Sequence, residues 1–229
     1  MTCTRLSADW RPVLELRRGG TPPETREHDG SFPRIGGHPQ LDLVNTVSRR
    51  LAAARTVETL PDWTTLLLWA TSAGIIAGRQ GERFAADARR DASLAQTILE
   101  DARRLRETSY RVLQPLATRN TPRRNDIRVL SARITEAFAD ASIETIVPLT
   151  WTARSTTIAD LPGMLALSAW HLLATEDLTR LRQCADSECG WLFLDASKNL
   201  SRHWCSPLTC GNRARVRRHH ERIRGRRTV

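Results

Sequence analysis

The sequence predicts a mainly α-helical protein with a few short strands, built from a helical N-terminal domain and a small cysteine-rich C-terminal module that ends in a basic helix. Three observations support this fold class. Apolar residues recur at helical spacing over much of the chain up to residue 181. Four of the five cysteines fall within residues 184–210, and basic residues are concentrated after them. The length of 229 residues allows one large domain or two unequal ones.

Positive charge is the main compositional feature. The chain has 35 basic and 25 acidic residues and a formal net charge of +10, and residues 202–229 alone contain nine Arg against one acid, Glu221. Such a local excess predicts a polyanionic partner, either nucleic acid or an anionic surface, although a solvated basic tail would have the same composition. The hydrophobic fraction of 40% is ordinary for a globular protein and too high for a fully disordered one.

Neither a membrane span nor a signal peptide is expected. The longest uncharged run, residues 63–78, has 16 residues, whereas a transmembrane helix needs about 20 apolar residues. Charged side chains in residues 9–18 interrupt any hydrophobic signal segment near the N-terminus. We therefore expect a cytoplasmic protein that makes no membrane contact and whose cysteines stay reduced unless a metal holds them.

Composition divides the chain into three segments. Residues 1–40 are predicted to be a flexible N-terminal segment and linker, because residues 19–40 hold five Gly and four Pro. Cys3 lies in this segment, far in sequence from the other cysteines, and is predicted to be an incidental thiol. Residues 41–181 form the helical domain, and residues 182–229 form the cysteine module with its basic helix.

The helical domain is predicted from its apolar spacing and its chain breakers. Helices are expected over residues 41–52, 62–78, 93–116 and 127–138. The run 143–158 is rich in Ile, Val, Thr and Trp and contains Pro148, which predicts a strand pair or an extended edge segment. A last helix is expected to begin at Leu161 and Pro162 and to continue as far as Leu181.

Three polar residues interrupt the first apolar segment of this domain: Asp42, Asn45 and Thr46. One hypothesis is that they cap a helix or satisfy buried backbone groups. The other is that they line a pocket for a small-molecule effector, whose binding would bias the C-terminal module. The sequence favours the first hypothesis and does not exclude the second.

The four clustered cysteines form two C-x4-C pairs separated by fifteen residues: Cys184, Cys189, Cys205 and Cys210. Two such pairs supply the tetrahedral sulfur shell that zinc prefers. Four soft ligands with no carboxylate and no open position predict one structural Zn²⁺ rather than a catalytic metal. The alternatives are two disulfides or buried free thiols, and a reducing compartment argues against disulfides.

The residues between the two pairs predict a hairpin. Residues 191–195 are strand-like, residues 196–200 are polar enough to turn, and residues 201–205 could return as the second strand. The expected unit is a knuckle, a hairpin, a second knuckle and a helix, which is similar to a zinc ribbon or a treble clef. His203 is expected to be a surface or hairpin residue, because four thiolates already complete the metal shell.

Residues 212–224 are predicted to be the basic helix, since they contain no Gly or Pro. Val216 and Ile223 are seven residues apart and are expected to dock this helix on the metal module. The remaining surface is rich in Arg, which can contact DNA phosphates and guanine bases. The predicted nucleic-acid contacts are Arg213, Arg215, Arg217, Arg218, Arg222 and Arg224. Phosphates are common to DNA and RNA, and the same Arg residues could instead pair with acids of the helical domain.

A family resemblance follows from these residues. Residues 182–224 resemble the bacterial CGNR zinc finger, because the four cysteines, the run 191–195 (WLFLD), Trp204 before Cys205, and CGNR at residues 210–213 occur in the family's order. The preceding region resembles the helical ABATE domain, with two Gly followed by LDLVNT at residues 41–46. This resemblance implies a zinc-dependent, DNA-binding transcriptional regulator of stress responses. One departure is His203, where the family commonly has Arg.

The helical domain is then expected to sense a small-molecule effector or to form a homodimer. The competing hypothesis is a protein-interaction or RNA-binding module in which the zinc unit is a structural clip. No enzyme is expected, because the sequence has no phosphate-binding loop and no Ser/His/Asp set. His38 and His171 are isolated in the sequence.

Overall fold

The computed structural model describes residues 32–146 and 149–227. Within them lie seven α-helices and three two-stranded antiparallel sheets, which confirms the mainly helical fold class with a few short strands. Of the segment 1–40 that was predicted to be a flexible linker, residues 1–31 lie outside the described residues, as do Cys3 and Pro148, whereas residues 38–40 are buried and α1 already begins at Pro39. No helix in the described ranges is both long and apolar enough to cross a membrane.

The helices are α1 (Pro39–Val44), α2 (Trp63–Ser72), α3 (Gly78–Arg90), α4 (Ala92–Ala117), α5 (Arg124–Ala139), α6 (Leu161–Thr175) and α7 (Asn212–Arg227). The strands are β1 (Val47–Ser48), β2 (Val57–Glu58), β3 (Ser142–Ile146), β4 (Leu149–Thr152), β5 (Leu181–Gln183) and β6 (Leu192–Leu194). The strands pair in sequence order as β1–β2, β3–β4 and β5–β6.

The long helix α4 organises the helical domain, and its predicted apolar side is buried or half-buried except at Leu94, which is exposed at the start of the helix. Ile98, Leu105 and Val112 are buried along one side of it. Asp91 caps its start, because the Asp91 carboxylate accepts a hydrogen bond from the amide of Leu94. Helices α2, α3, α5 and α6 all pack against it, so one apolar core holds the domain together.

The first predicted helix is shorter than the sequence suggests. It begins at Pro39 and ends at Val44, whereas helix was expected over residues 41–52. The side chain of Asn45 turns to the backbone of Leu192, and Arg49 has a φ of +54°, which a right-handed helix cannot contain. The segment therefore leaves the helix and forms β1, which pairs with β2.

The predicted helix 62–78 is two helices. Helix α2 ends at Ser72, and the chain turns at Gly74, whose φ of +70° suits glycine. Helix α3 then follows, and the sequence did not predict it because Gly78 and Gly81 weaken its helical pattern. Its place is fixed by Phe84, which is fully buried in the domain core.

The last helix of the domain also ends early. Helix α6 stops at Thr175 and does not continue to Leu181. Asp177 caps the start of a short 3-10 turn, since its carboxylate accepts a hydrogen bond from the amide of Thr179. Leu181 lies in β5 opposite Leu194 rather than on a helix. The predicted strand pair after residue 142 is confirmed as β3 and β4, although it ends at residue 152 rather than 158.

A second apolar cluster joins the cysteine module to the helical domain. Leu181 and Leu192 from the β5–β6 hairpin pack against Leu41, Leu113 and Leu172 from α1, α4 and α6, and all five side chains are almost wholly buried. The hairpin therefore shares a core with the helices. The module is docked on the domain rather than tethered to it.

Candidate metal centre and nucleic-acid interface

The four predicted metal ligands lie together. The Sγ atoms of Cys184, Cys189, Cys205 and Cys210 are all within 4.8 Å of one another, and all four residues are buried. The sulfur–sulfur distance is 3.4 Å for Cys205 and Cys210 and 3.7 Å for Cys189 and Cys205. A tetrahedral zinc with Zn–S bonds of about 2.3 Å requires sulfurs about 3.8 Å apart. A disulfide would require about 2.05 Å, so the cluster fits one metal ion and not two disulfides.

The first pair of cysteines sits on a tight turn. The amide of Cys189 donates to the carbonyl of Asp186 at 3.0 Å, and the amide of Cys184 donates to the carbonyl of Trp191 at 2.8 Å. Gly190 follows with a φ of +75°, which lets the chain reverse into β6. These contacts point both thiols toward the centre of the module, where Phe193 is fully buried beside them.

The second pair is placed by the entry to α7. Ser206 caps a single π-helical turn, Pro207–Gly211, that carries Cys210 directly into the helix. A Cβ at Gly211 would lie 3.2 Å from the Trp204 ring, so glycine allows this ring to pack closely. The metal site and the basic helix are therefore continuous in the chain.

The thiols need a cation to coexist as thiolates. The neighbouring sulfur of Cys184 raises the pKa of the Cys189 and Cys205 thiols, and burial adds to the shift. Zinc supplies the compensating charge, since metal binding replaces the thiol protons. The Cys210 sulfur also accepts a hydrogen bond of 3.0 Å from Nη2 of Arg213. The donor set, its burial and its geometry fit one structural zinc with no open position.

The prediction of a hairpin between residues 191–195 and 201–205 is wrong about the second strand. Residues 192–194 form β6 as expected, but their partner is β5, before the first cysteine, and residues 201–205 form no strand. The Asp195 carboxylate instead accepts the amide of Arg202 at 3.0 Å and fixes the loop between them. The backbone of His203 contributes by accepting the amide of Ala185 at 2.9 Å.

The six predicted nucleic-acid contacts on α7 separate into two groups, and Asp186 defines the first. The fully buried Asp186 carboxylate accepts Nε of Arg213 at 3.0 Å and lies 3.4 Å from a guanidinium nitrogen of Arg217. Burial alone would raise the pKa of Asp186, but the amide of Glu188 and the two guanidinium groups outweigh it and lower the pKa. The sequence offered no signal for this role beyond an acid between two ligands.

The second group is exposed: Arg215, Arg218, Arg222 and Arg224. Among the described residues, Arg215, Arg218 and Arg222 form no ion pair. The predicted apolar docking stripe is not formed, because Val216 and Ile223 are 47% and 41% exposed. Contact with the module comes instead from the first turn, where Ala214 is buried.

The helical domain contacts the turn that carries the first cysteine pair, residues 184–190, which is called here the first knuckle. The amides of Arg50 and Leu51 donate to the carbonyls of Cys189 and Glu188, both at 3.1 Å. The Glu188 carboxylate pairs with the guanidinium groups of Arg49 and Arg55. None of these contacts could be predicted from the sequence, because they join residues more than 130 positions apart. The knuckle thus lies between the helical domain and α7.

The three polar residues of the first segment are fully engaged by the protein. The Asn45 amide group accepts from the Leu192 amide at 2.9 Å and donates to the Leu192 carbonyl at 2.8 Å. Asp42 accepts the amide of Gly36 at 2.8 Å. The Thr46 hydroxyl donates to the carbonyl of Leu43 at 2.7 Å. These bonds match the first hypothesis, which assigns the residues to buried backbone groups.

The two histidines that are isolated in the sequence meet in the structure. Nε2 of His38 and Nδ1 of His171 are 2.9 Å apart, and the rings are stacked. Nδ1 of His38 accepts the amide of Gln40 and caps α1. Burial, followed by the nearby charge of His171, lowers the pKa of His38 to about 3, so the ring stays neutral.

Comparison with known proteins agrees with this geometry. The family model described as "Putative stress-induced transcription regulator", ABATE, matches residues 37–176, more than half of the chain. The chain belongs to the ABATE family. The CGNR zinc finger model matches residues 180–223, which contain all four cysteines and most of α7. No curated protein matches the chain.

The CGNR finger therefore supplies the metal site and α7, while the ABATE domain supplies the helices that hold the first knuckle. The ABATE domain also contains a cavity of about 210 Å³ between the α2–α3 turn, the β3–β4 hairpin and α6. Its walls include Ile75, Trp151 and Met164, with Gln80 and Glu144 as polar lining residues. The three polar residues of the first segment, 42, 45 and 46, do not line it.

Proposed function

We propose that this ABATE-family chain is a zinc-dependent, DNA-binding transcriptional regulator of bacteria, acting in the cytoplasm and without a catalytic role. The observation that carries the proposal is the position of α7. It begins within two residues of the metal ligand Cys210, and it exposes Arg215, Arg218 and Arg222 along one side. A single zinc site thus fixes the start of a helix whose exposed surface is cationic.

The dimensions of this surface suit duplex DNA. Arg215 and Arg222 are seven residues apart, which corresponds to about 10 Å along a helix. The major groove of B-DNA is about 12 Å wide and admits an α-helix. Arg can bind phosphates, which gives affinity, and the O6 and N7 atoms of guanine, which gives sequence preference.

Direct binding tests the proposal. We expect the zinc-loaded full chain to bind a labelled, mixed-sequence DNA duplex and to release it steeply as salt rises, because phosphate contacts release counterions. Unlabelled duplex should compete better than structured RNA of equal length. Chelation of the zinc should abolish binding. Genome-wide capture with the native protein would then identify the target sequences.

The competing function is an interaction module in which the zinc unit is a clip between the ABATE domain and α7. The contacts of the first knuckle with Arg49, Arg50 and Arg55 support a clip. On this alternative, α7 binds RNA or an acidic protein. Stronger competition by RNA than by DNA, or a partner captured without any DNA binding, would favour it.

For the ABATE domain we propose that the cavity binds a small effector. At about 210 Å³ it is smaller than the roughly 300–1,000 Å³ of drug-sized sites, so the ligand is small. Trp151 offers an apolar wall that is held edge-on by Phe138 at 5.3 Å between ring centroids. Glu144 adds one negative charge, which favours a small aromatic amine.

A thermal-shift series tests this effector site. Small aromatic amines should raise the unfolding temperature, and the matching carboxylates should not. Glu144→Gln should remove the preference, whereas Glu136→Gln, at an exposed position on α5, should keep it. If no amine shifts the unfolding temperature, the effector proposal fails. The alternative role of the domain is dimerisation, for which Ile143 and Ile146 are exposed on β3 and which sedimentation velocity would detect.

A further inference from the structure

We infer that Asp186 is a specificity-determining positioning residue, which holds Arg213 and Arg217 away from DNA so that only the opposite face of α7 makes the contact. This inference rests on the proposed DNA-binding function. It changes the expected interface, because Arg213 and Arg217 are then not nucleic-acid ligands, and Arg224, eleven residues after Arg213, falls on the same side of the helix as this pair. The contact surface becomes the group Arg215, Arg218 and Arg222, called here the exposed triad.

Helix geometry puts the exposed triad on the opposite side of α7 from Arg213 and Arg217. At 3.6 residues per turn, each residue advances about 100° around the axis. Arg213 and Arg217 therefore lie within about 40° of each other. The exposed triad covers about 60°, and its centre is roughly 150° away from the centre of the first pair. A groove that receives the triad meets the side of the helix turned away from Asp186.

The carboxylate of Asp186 is bound at both oxygens. Its side chain has no solvent exposure. One oxygen accepts the amide of Glu188 at 3.1 Å and lies 3.4 Å from Arg217, and the other accepts Nε of Arg213 at 3.0 Å. A single buried carboxylate thus links the turn of the first knuckle to the first two turns of α7.

Releasing either guanidinium group to a phosphate would weaken this arrangement. Removing one partner from a carboxylate that has no solvent exposure costs free energy, whereas a phosphate contact gains mainly the entropy of released counterions. Arg213 is held further by its hydrogen bond to the Cys210 sulfur. Because contacts to phosphates carry no sequence information, withholding two cations lowers affinity for all DNA equally and raises the share that comes from base contacts.

The salt dependence of binding to a mixed-sequence duplex tests the inference on the full-length, zinc-loaded chain. Arg217→Ala should leave the slope of log K against log salt unchanged. Arg218→Ala, the matched control one residue away, should reduce the slope by about 0.9, which is the value for one lost phosphate contact. Equal reductions in the two variants would overturn the inference.

A second variant tests the role of the carboxylate itself. Asp186→Asn should free both guanidinium groups, steepen the slope by about 1 to 2, and tighten binding to the mixed-sequence duplex. Adding Arg217→Ala to this variant should reverse about half of the gain. An unchanged or shallower slope in a zinc-replete Asp186→Asn protein would contradict the inference. If that variant does not retain zinc, the comparison of Arg217→Ala with Arg218→Ala still tests whether Arg217 contacts DNA.

Failure of the inference is distinct from failure of the proposed function. Wild-type protein that does not bind duplex DNA would refute the function. Wild-type protein that binds, but whose slope depends on Arg217 as much as on Arg218, would refute only the assignment of Asp186.

Discussion

Two of the four metal ligands accept a hydrogen bond at sulfur, and the two donors come from different parts of the module. The sulfur of Cys184 accepts the amide of Cys205 at 3.4 Å, and the sulfur of Cys210 accepts Nη2 of Arg213. Donors of this kind offset the excess negative charge of four thiolates around one Zn²⁺. Loss of one thiol therefore removes a metal ligand and, at Cys184 or Cys210, the acceptor of a hydrogen bond that positions a neighbouring group.

Cys205→Ser should lower the zinc content of the purified protein toward zero. Its sulfur lies 3.4 Å from that of Cys210 and 3.7 Å from that of Cys189, and folding of such small modules depends on metal binding worth on the order of 10 kcal/mol. Elemental analysis gives the stoichiometry. Cys3→Ser is the control, because Cys3 is far in sequence from the cluster, and it should keep one equivalent. A full equivalent of zinc in Cys205→Ser would refute the four-thiolate site.

Asp42 gives a pH-dependent prediction. Burial raises its pKa from 3.8 to about 7, although the amide of Gly36 and the charge of Arg34 oppose the shift. Between about pH 4 and 7 the folded chain then binds this proton more tightly than the unfolded chain. The free energy of unfolding contributed by Asp42 should therefore be highest near pH 4, fall as pH rises, and level off above 7.

Asp42→Asn removes this dependence and keeps an acceptor for the Gly36 amide. The unfolding free energy of wild type minus that of the variant should fall by up to about 1.4 kcal/mol per pH unit between pH 5.5 and 7. Urea unfolding of zinc-saturated protein measures it. The lowered pKa of His38 acts in the opposite direction but is common to both proteins, so it cancels. Parallel pH profiles would show that Asp42 is charged in the fold.

Among the structural elements, the first knuckle carries the connection between the two parts of the chain. Its backbone at Gly190 lies against the helical domain so closely that a Cβ there would be 2.9 Å from the Cβ of Arg50 and 3.3 Å from the Tyr110 hydroxyl. Trp191 adds a hydrogen bond of 2.9 Å from its ring nitrogen to the carbonyl of Val47. Glycine at 190 is therefore required by both conformation and space.

Gly190→Ala should reduce the free energy of unfolding by about 1 to 3 kcal/mol or more, since a positive φ and a backbone-proximal clash both oppose it. Chemical unfolding followed by circular dichroism measures the loss. Gly78→Ala is the matched control, because a Cβ at the first residue of α3 would meet nothing within 4 Å. It should be neutral or slightly stabilising. Equal stability of the two variants would contradict the close docking of the knuckle.

Elements that depend on short-range sequence patterns could be predicted from the sequence. The stripe of α4, the strand pair after residue 142 and the cysteine spacing of the metal site all follow from short-range periodicity. The strand that pairs with β6 could not be predicted in this way, because β5 lies before Cys184 in a stretch whose leucines fit a helical pattern. The role of Asp186 could not be predicted from local sequence, since its two Arg partners are 27 and 31 residues away in sequence.

For the molecule as a whole, the zinc module and the ABATE domain share buried surface. Leu181 and Leu192 of the β5–β6 hairpin are fully buried against helices of the domain, and Asn45 bonds to the backbone of the same hairpin. A change in the domain can therefore reach α7 through the hairpin and the first knuckle. We propose this contact surface as the route by which an effector in the cavity would alter DNA binding.

We propose that zinc holds α7 so that its exposed triad binds duplex DNA. The most direct measurement is the salt dependence of duplex binding for the triple variant Arg215→Ala, Arg218→Ala, Arg222→Ala. The control variant replaces three exposed Arg of α3 in the same way: Arg79, Arg83 and Arg89. We expect the magnitude of the slope of log K against log salt to fall by about 3 in the triad variant and to stay at the wild-type value in the control. A wild-type slope in a zinc-replete triad variant would contradict it.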